Sequence, residues 1–241
     1  MPAYSQRFFE VQLIFARAVA ALAHQPFSEA VLRYTALYSI LNVDGQLDPT
    51  QPVWQAYVRG LGDARRDAGW THHFYLDRRH LAPTFNGERL WGCFSYDYLA
   101  DRRTIGLHFS HQDTSGYGPL SRQRRVVRMD ELRAMFGHIK RVHPDATSVT
   151  GGSWLYNRDA YRRLFPPAYA QSARVGIPGF RYRNLWGQFL RHDGQVNEDV
   201  AAPFLQNVGQ LRGIERALQC FPYQVLDVHG PILDFYAFYR I

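Results

Sequence analysis

The stretch that decides the fold runs from Arg103 to Pro166: TIGLHFSHQ (104–112), DTSGYGPLS (113–121), a basic amphipathic segment, ATSVTGGSWLYN (146–157) and RDAYRRLFP (158–166). In the first piece Ile105, Leu107 and Phe109 alternate with His108 and Ser110, the two-residue period of a strand. The second is a glycine-rich turn. In the third, 121–142, Leu132, Met135, Phe136 and Ile139 fall on one stripe at helical spacing, with Arg133, His138 and Lys140 off it. The fourth reads as a strand broken by Gly151-Gly152, and the fifth as a short helix, 157–165, stopped by Pro166-Pro167. Strand, glycine turn and helix in that order place open backbone N–H groups where a phosphate can sit.

Outward from this unit, RLWGCFSYDYL (89–99) pairs with 104–111 through a break at Asp101-Arg102-Arg103, which predicts a hairpin. HHFYL (72–76) also reads as a strand. Upstream, residues 5–24 predict a helix that is apolar on most sides. Arg7, the apolar run from Val11 and Ala21-Leu22-Ala23 imitate a signal peptide, but Gln12 and Arg17 interrupt the run, so an uncleaved helix is expected. Ser28 caps a second helix over 28–42, Asn42 to Pro52 is a turn-rich linker, and a third helix covers 52–68. Downstream, 198–219 reads as a helix, and the stretch from Tyr223 fits strand, helix or both. The expected architecture is mixed α/β (α+β): a helical N-terminal segment, 1–68, and a domain over 69–241 with a central mixed sheet flanked by helices.

Composition narrows the class. Apolar residues make up 46% of 241, charged residues 20% and aromatics 15%, which excludes a disordered chain. The net charge of +7 comes from cations that are nearly all Arg, a residue suited to phosphate and carboxylate. Cys93 and Cys220 form no CxxC pair, so the expectation is buried thiols in a reducing cytoplasm and no thiolate zinc site. No run reaches the roughly 18 apolar residues of a membrane span.

Several residues carry candidate chemistry. Gly116 and Gly118 allow successive N–H groups to face an anion. Four arginines, Arg122, Arg124, Arg125 and Arg128, crowd a helix start that ordinarily prefers acids, which makes sense around a bound anion. His111-x-Asp113 has the spacing of a facial metal set, with His229 or His192 as the distant third ligand. Ser153 lacks the glycine that would complete a Gly-x-Ser-x-Gly elbow, so it reads as a ligand contact. SRQRRVVR (121–128) and FRYRNLW (180–186) mix arginine with aromatics in the manner of single-strand nucleic-acid binders, without a named signature.

The loop between strand and helix resembles the pyrophosphate loop of the GNAT superfamily of N-acetyltransferases. That family's pattern is Arg/Gln-x-x-Gly-x-Gly/Ala; here Asp113-Thr114-Ser115-Gly116-Tyr117-Gly118 matches in its glycines, with Asp113 in the first position and Gln112 one residue early. Asn157 and Ala160 fit the family's later Asn and Ala, while Leu164 takes the usual tyrosine place, with Tyr161 and Tyr169 near. The order of elements over roughly 70–190 is also similar to the GNAT-like C-terminal domain of bacterial acyltransferase-type proteins. The resemblance implies an acyl-CoA or acetyl-CoA cofactor. It would be bound by Gly116, Tyr117, Gly118, Ser121, Arg122, Arg124, Ser153 and Asn157, with a splayed strand admitting pantetheine. It implies acyl transfer to a small-molecule amine, with His108 as base and Tyr156 or Tyr161 as acid. A carboxylate at position 113 would repel a pyrophosphate. Two alternatives stand beside this: a non-catalytic module for nucleic acid or an acidic partner, and a metal-dependent enzyme using His111, Asp113 and His229.

Overall fold

The computed structural model describes residues 2–41, 43, 47–81, 90–110, 113–176 and 183–241. Its helices and strands run α1 (Gln6–Ala23), α2 (Phe27–Tyr34), α3 (Leu37–Ile40), α4 (Pro52–Arg59), α5 (Asp67–Arg78), β1 (Phe94–Leu99), β2 (Thr104–Phe109) and α6 (Arg125–Val142). The chain continues with β3 (Ser148–Ser153), α7 (Asp159–Arg162), α8 (Pro167–Gln171), β4 (Arg174–Val175), α9 (Glu198–Gly209), β5 (Leu226–Pro231) and α10 (Ile232–Tyr239). The class is mixed α/β, with a five-stranded mixed sheet flanked by helices. No helix among the described residues is long and apolar enough to cross a membrane.

The chain divides into two compact units. One comprises Phe85–Ile177 with Gln224–Ile241; the other comprises Pro2–Thr84 with Pro178–Tyr223. The sequence reading places all of 69–241 in one domain, whereas here residues 178–223 group with the N-terminal helices.

The sheet has strand order β1-β2-β3-β5-β4. β1 and β2 form the expected hairpin, β2 and β3 are parallel across α6, and β5 lies antiparallel between β3 and β4. Alternation gives the sheet two unlike faces. Ile105, Leu107, Val149 and Val228 lie on the inner face, in one buried cluster with Leu132, Met135, Phe136 and Ile139 of α6 and with Phe235 and Tyr239 of α10. Burial of each such α6 side chain contributes roughly 1.5–3 kcal/mol. The outer face carries Asp97, Gly106, His108, Thr150, Gly152, Asp227 and His229, and is open to solvent at Asp97, His108, Gly152, Asp227 and His229.

In the helical unit α1 is buried on most sides. Its Gln12 is fully buried, and its side-chain oxygen accepts from the Ala36 amide at 2.8 Å. That bond lies where the expected helix 28–42 breaks: Thr35 is extended, and its hydroxyl donates back to the Val31 carbonyl at 2.6 Å. Asp67, also buried, is paired with Arg17 of α1. Phe15 packs against Trp186, Phe204 and Phe221.

Three further sequence expectations are corrected. Residues 72–76 are helical, inside α5, where Asp67, Thr71 and Tyr75 are buried at four-residue spacing. The helix expected over 52–68 stops at Gly60, and that expected over 198–219 stops at Gly209, followed by a 3-10 segment, Ile214–Cys220. The short helix does end before Pro166-Pro167, as α7, and Pro167 opens α8, since a proline at a helix start loses no hydrogen bond.

Candidate functional site

The loop after β2 is held from below by a charge network. The Asp113 side chain is 1% exposed, and its Oδ1 accepts from the Ser115 amide at 2.9 Å. Its Oδ2 accepts from Arg124 Nε at 2.6 Å and lies 3.1 Å from Arg128 Nη2. Arg128 is itself buried; Nη2 donates to Glu131 Oε1 at 2.7 Å and Nη1 to Cys93 Sγ. Glu131 accepts in turn from the Cys93 amide at 3.1 Å. Loop, first turns of α6 and entry to β1 are thereby tied together.

Desolvation alone would raise the Asp113 titration, but bonds from Ser115 and the Arg124 guanidinium outweigh it and hold the carboxyl well below its usual range. The repulsion expected between Asp113 and an anion is therefore answered by two arginines that neutralise it.

Above this base the loop is open. Gly116 has φ +80°, a left-handed conformation that glycine adopts without strain, and a Cβ on Gly118 would meet nothing within 4 Å. The amides of Gly116, Tyr117 and Gly118 donate to no group among the described residues. Tyr117 and Arg122 are exposed, and the Ser121 hydroxyl is buried without a partner among the described residues. A buried hydroxyl without a bond costs about 1–3 kcal/mol, so Ser121 invites an acceptor.

Next to the loop, β2 and β3 part. Their parallel pairing runs from Thr104↔Ser148 to Leu107↔Gly151. Beyond it His108 and Phe109 stay paired to β1, and Gly152 and Ser153 to β5. His108 Nε2 lies 2.7 Å from Asp97 Oδ2, across the hairpin on the outer face. An ionised carboxylate only accepts, so Nε2 carries the hydrogen of this bond, and in the neutral ring the lone pair is on Nδ1.

Tyr156 and Tyr161 do not fit the role of proton donor. Both are buried in the inner core, the Tyr156 and Tyr169 hydroxyls are 3.0 Å apart, and burial raises Tyr156 and Tyr161 well above the usual phenol range. A phenol so held keeps its proton. The pair also explains one glycine, since a Cβ on Gly151 would collide with both hydroxyls.

Ser153 caps the 3-10 segment Trp154–Asn157, accepting from the Leu155 amide at 3.1 Å. Asn157 Nδ2 donates to the carbonyls of Trp154 and Gln224, both at 2.8 Å. Both serve the fold, Ser153 locally and Asn157 across to Gln224.

His111 and Gln112 lie outside the described residues, as do residues 180–182 of the Arg-aromatic stretch. Asp113 has both oxygens engaged, His229 is exposed on β5, and no group of three or more metal-ligating side chains occurs among the described residues. Sequence reasoning missed Asp97 and Asp227, and it set Arg128 toward an anion where the structure pairs it with Asp113 and Glu131. Asp97 was reachable, because a hairpin closed at 100–103 sets Asp97 diagonally across from His108 on one face. Arg128 is one helical turn beyond Arg124, on the side facing the loop.

No protein-family model, no curated protein and no solved structure matches this chain.

Proposed function

We propose that the sheet unit is an acyl-CoA-dependent acyltransferase acting on an amine. One observation carries this reading: β2 and β3 lose their pairing at the end where an open glycine loop leaves β2 for the start of α6. The amides of Gly116, Tyr117 and Gly118 hold the pyrophosphate, with Arg122 as the exposed cation beside them. Arg124 and Arg128 act indirectly, fixing the loop through Asp113. The gap beyond Leu107 and Gly151 gives an extended arm a place between strands, where unpaired backbone groups can bond it. When bound, the acyl-CoA supplies an activated thioester carbonyl. His108, oriented by Asp97, accepts the proton that the amine loses. The bound geometry and this proton transfer account for the chemistry without a covalent enzyme intermediate.

The test is thermal unfolding with acetyl-CoA, longer acyl-CoAs and free CoA over a concentration series. A ligand that binds only the folded state adds about 2.7 kcal/mol at a hundredfold excess over Kd. A concentration-dependent rise in Tm, abolished in Gly118→Glu, is the expected result. Because a side chain at 118 meets open space, that variant should fold normally without ligand. No rise with any CoA species overturns the proposal.

A further inference from the structure

The outer face of the sheet carries a second arrangement. Strand pairing places two rows across it. Asp97, Gly106, Thr150 and His229 form one row through successive register partners. Ser95 and His108 begin the other, which continues, past the parting of β2 and β3, through Gly152, Asp227 and Arg174. The hydrogen-bonded Asp97–His108 pair stands on β1 and β2, and Asp227 and His229 stand on β5. β2 and β5 are two strand spacings apart, about 10 Å. Between them β3 contributes Thr150 and Gly152, so among the described residues of the intervening strand no large side chain fills the space.

The Asp227 carboxylate lies between two glycines. A Cβ on Gly152 would lie 2.9 Å from its Oδ1, and one on Gly176 would collide with the carboxylate, so two glycines leave room on either side. Asp227 forms no ion pair among the described residues. Arg174, its register partner, turns away and donates to the carbonyls of Ala173 and Gln171. Asp227 itself is exposed.

We infer that this trough binds a primary ammonium group, with Asp227 as the recognising carboxylate and His108 opposite it as proton acceptor. As an acceptor site for acyl transfer it rests on the reading above; as a cation site it does not. An ammonium that becomes an amide sheds two protons while its nitrogen bonds to the carbonyl carbon and the carbon–sulfur bond breaks. One proton passes through His108 to solvent, and the other ends on the departing thiol. Asp227 holds the cation before the first proton leaves, and its grip loosens once the nitrogen is neutral.

The experiment uses the full chain with isotope-labelled histidines. n-Butylammonium is titrated at constant pH while the ring resonances of His108 and His229 are followed, with butyrate as the charge control. Saturable shifts in both rings with butylammonium only, and affinity reduced about fivefold in Asp227→Asn, are expected. Equal shifts with butyrate, unchanged affinity in Asp227→Asn, or no saturable shift overturns the inference. A Tm rise with CoA but no amine response overturns it and leaves the acyl-transfer reading standing. An amine response without a CoA effect leaves the cation site and removes acyl transfer.

Discussion

Asp113 is a residue whose chemistry and position conflict in sequence and agree in structure. A carboxylate under an anion loop is repulsive until Arg124 and Arg128 are counted against it. Replacing it leaves Glu131 as the one acidic partner of the buried Arg128 among the described residues, and breaking a buried pair of this kind costs about 3 kcal/mol. Asp113→Asn should therefore lower the urea unfolding free energy at pH 7 by about that much. The pH dependence has a definite sign. An unfolded aspartate titrates near 3.9, and Asp113 titrates lower when folded, so its contribution is complete above that range and is lost as pH falls through the folded value. The gap between wild type and variant should stay constant from about pH 7 to 5 and narrow only below about pH 4. A gap that closes between pH 7 and 5 would sink the pairing. At this scale the sequence displayed the ingredients, four arginines and an aspartate. Which arginine turns down to Asp113 and which stays in solvent depends on helix phase and on the Cys93 turn, neither of which is local to the motif.

The element scale is where periodicity worked and propensity misled. The α6 stripe was legible because Leu132, Met135, Phe136 and Ile139 all bury against one sheet face. His72–Leu76 misled because aromatic residues favour strands in isolation. Its four-residue spacing, Asp67, Thr71 and Tyr75, only shows once the window opens at Asp67. The double glycine of β3 is instructive in another way. It suggests backbone opened for a ligand, yet Gly151 is required by the Tyr156–Tyr169 hydroxyl pair, and only Gly152 faces the open side. Gly151→Ala overpacks that site and should cost about 1–3 kcal/mol. Tyr156→Phe removes the nearer hydroxyl, so the double variant should be less destabilised than the sum of the singles. Strict additivity in a denaturant-melt cycle would show that the hydroxyl pair does not set the identity of residue 151.

For the whole molecule, sequence order and spatial order differ. β5 lies between β3 and β4 although the segment 178–223 separates it from β4 along the chain, and that segment packs with helices formed before residue 84. A reading that moves along the chain puts a boundary at 68 and cannot see this return, since no local pattern marks which earlier surface a later helix covers. The helical unit shows what depends on it. Phe15 of α1 lies within an aromatic cluster whose other members, Trp186, Phe189, Phe204 and Phe221, all come from the returning segment. The Trp186 indole also donates to the Tyr34 carbonyl at 3.1 Å, so the return supplies a bond as well as apolar cover. Residues 2–84 alone would expose that face of α1 to water, at roughly 1.5–3 kcal/mol per large side chain, comparable with the whole stability of a small domain. The isolated 2–84 fragment should therefore show no cooperative thermal transition by circular dichroism, and adding a 178–223 fragment in trans should restore one. A cooperative transition in 2–84 by itself would mean that the N-terminal helices form a self-sufficient core and that the returning segment only covers it.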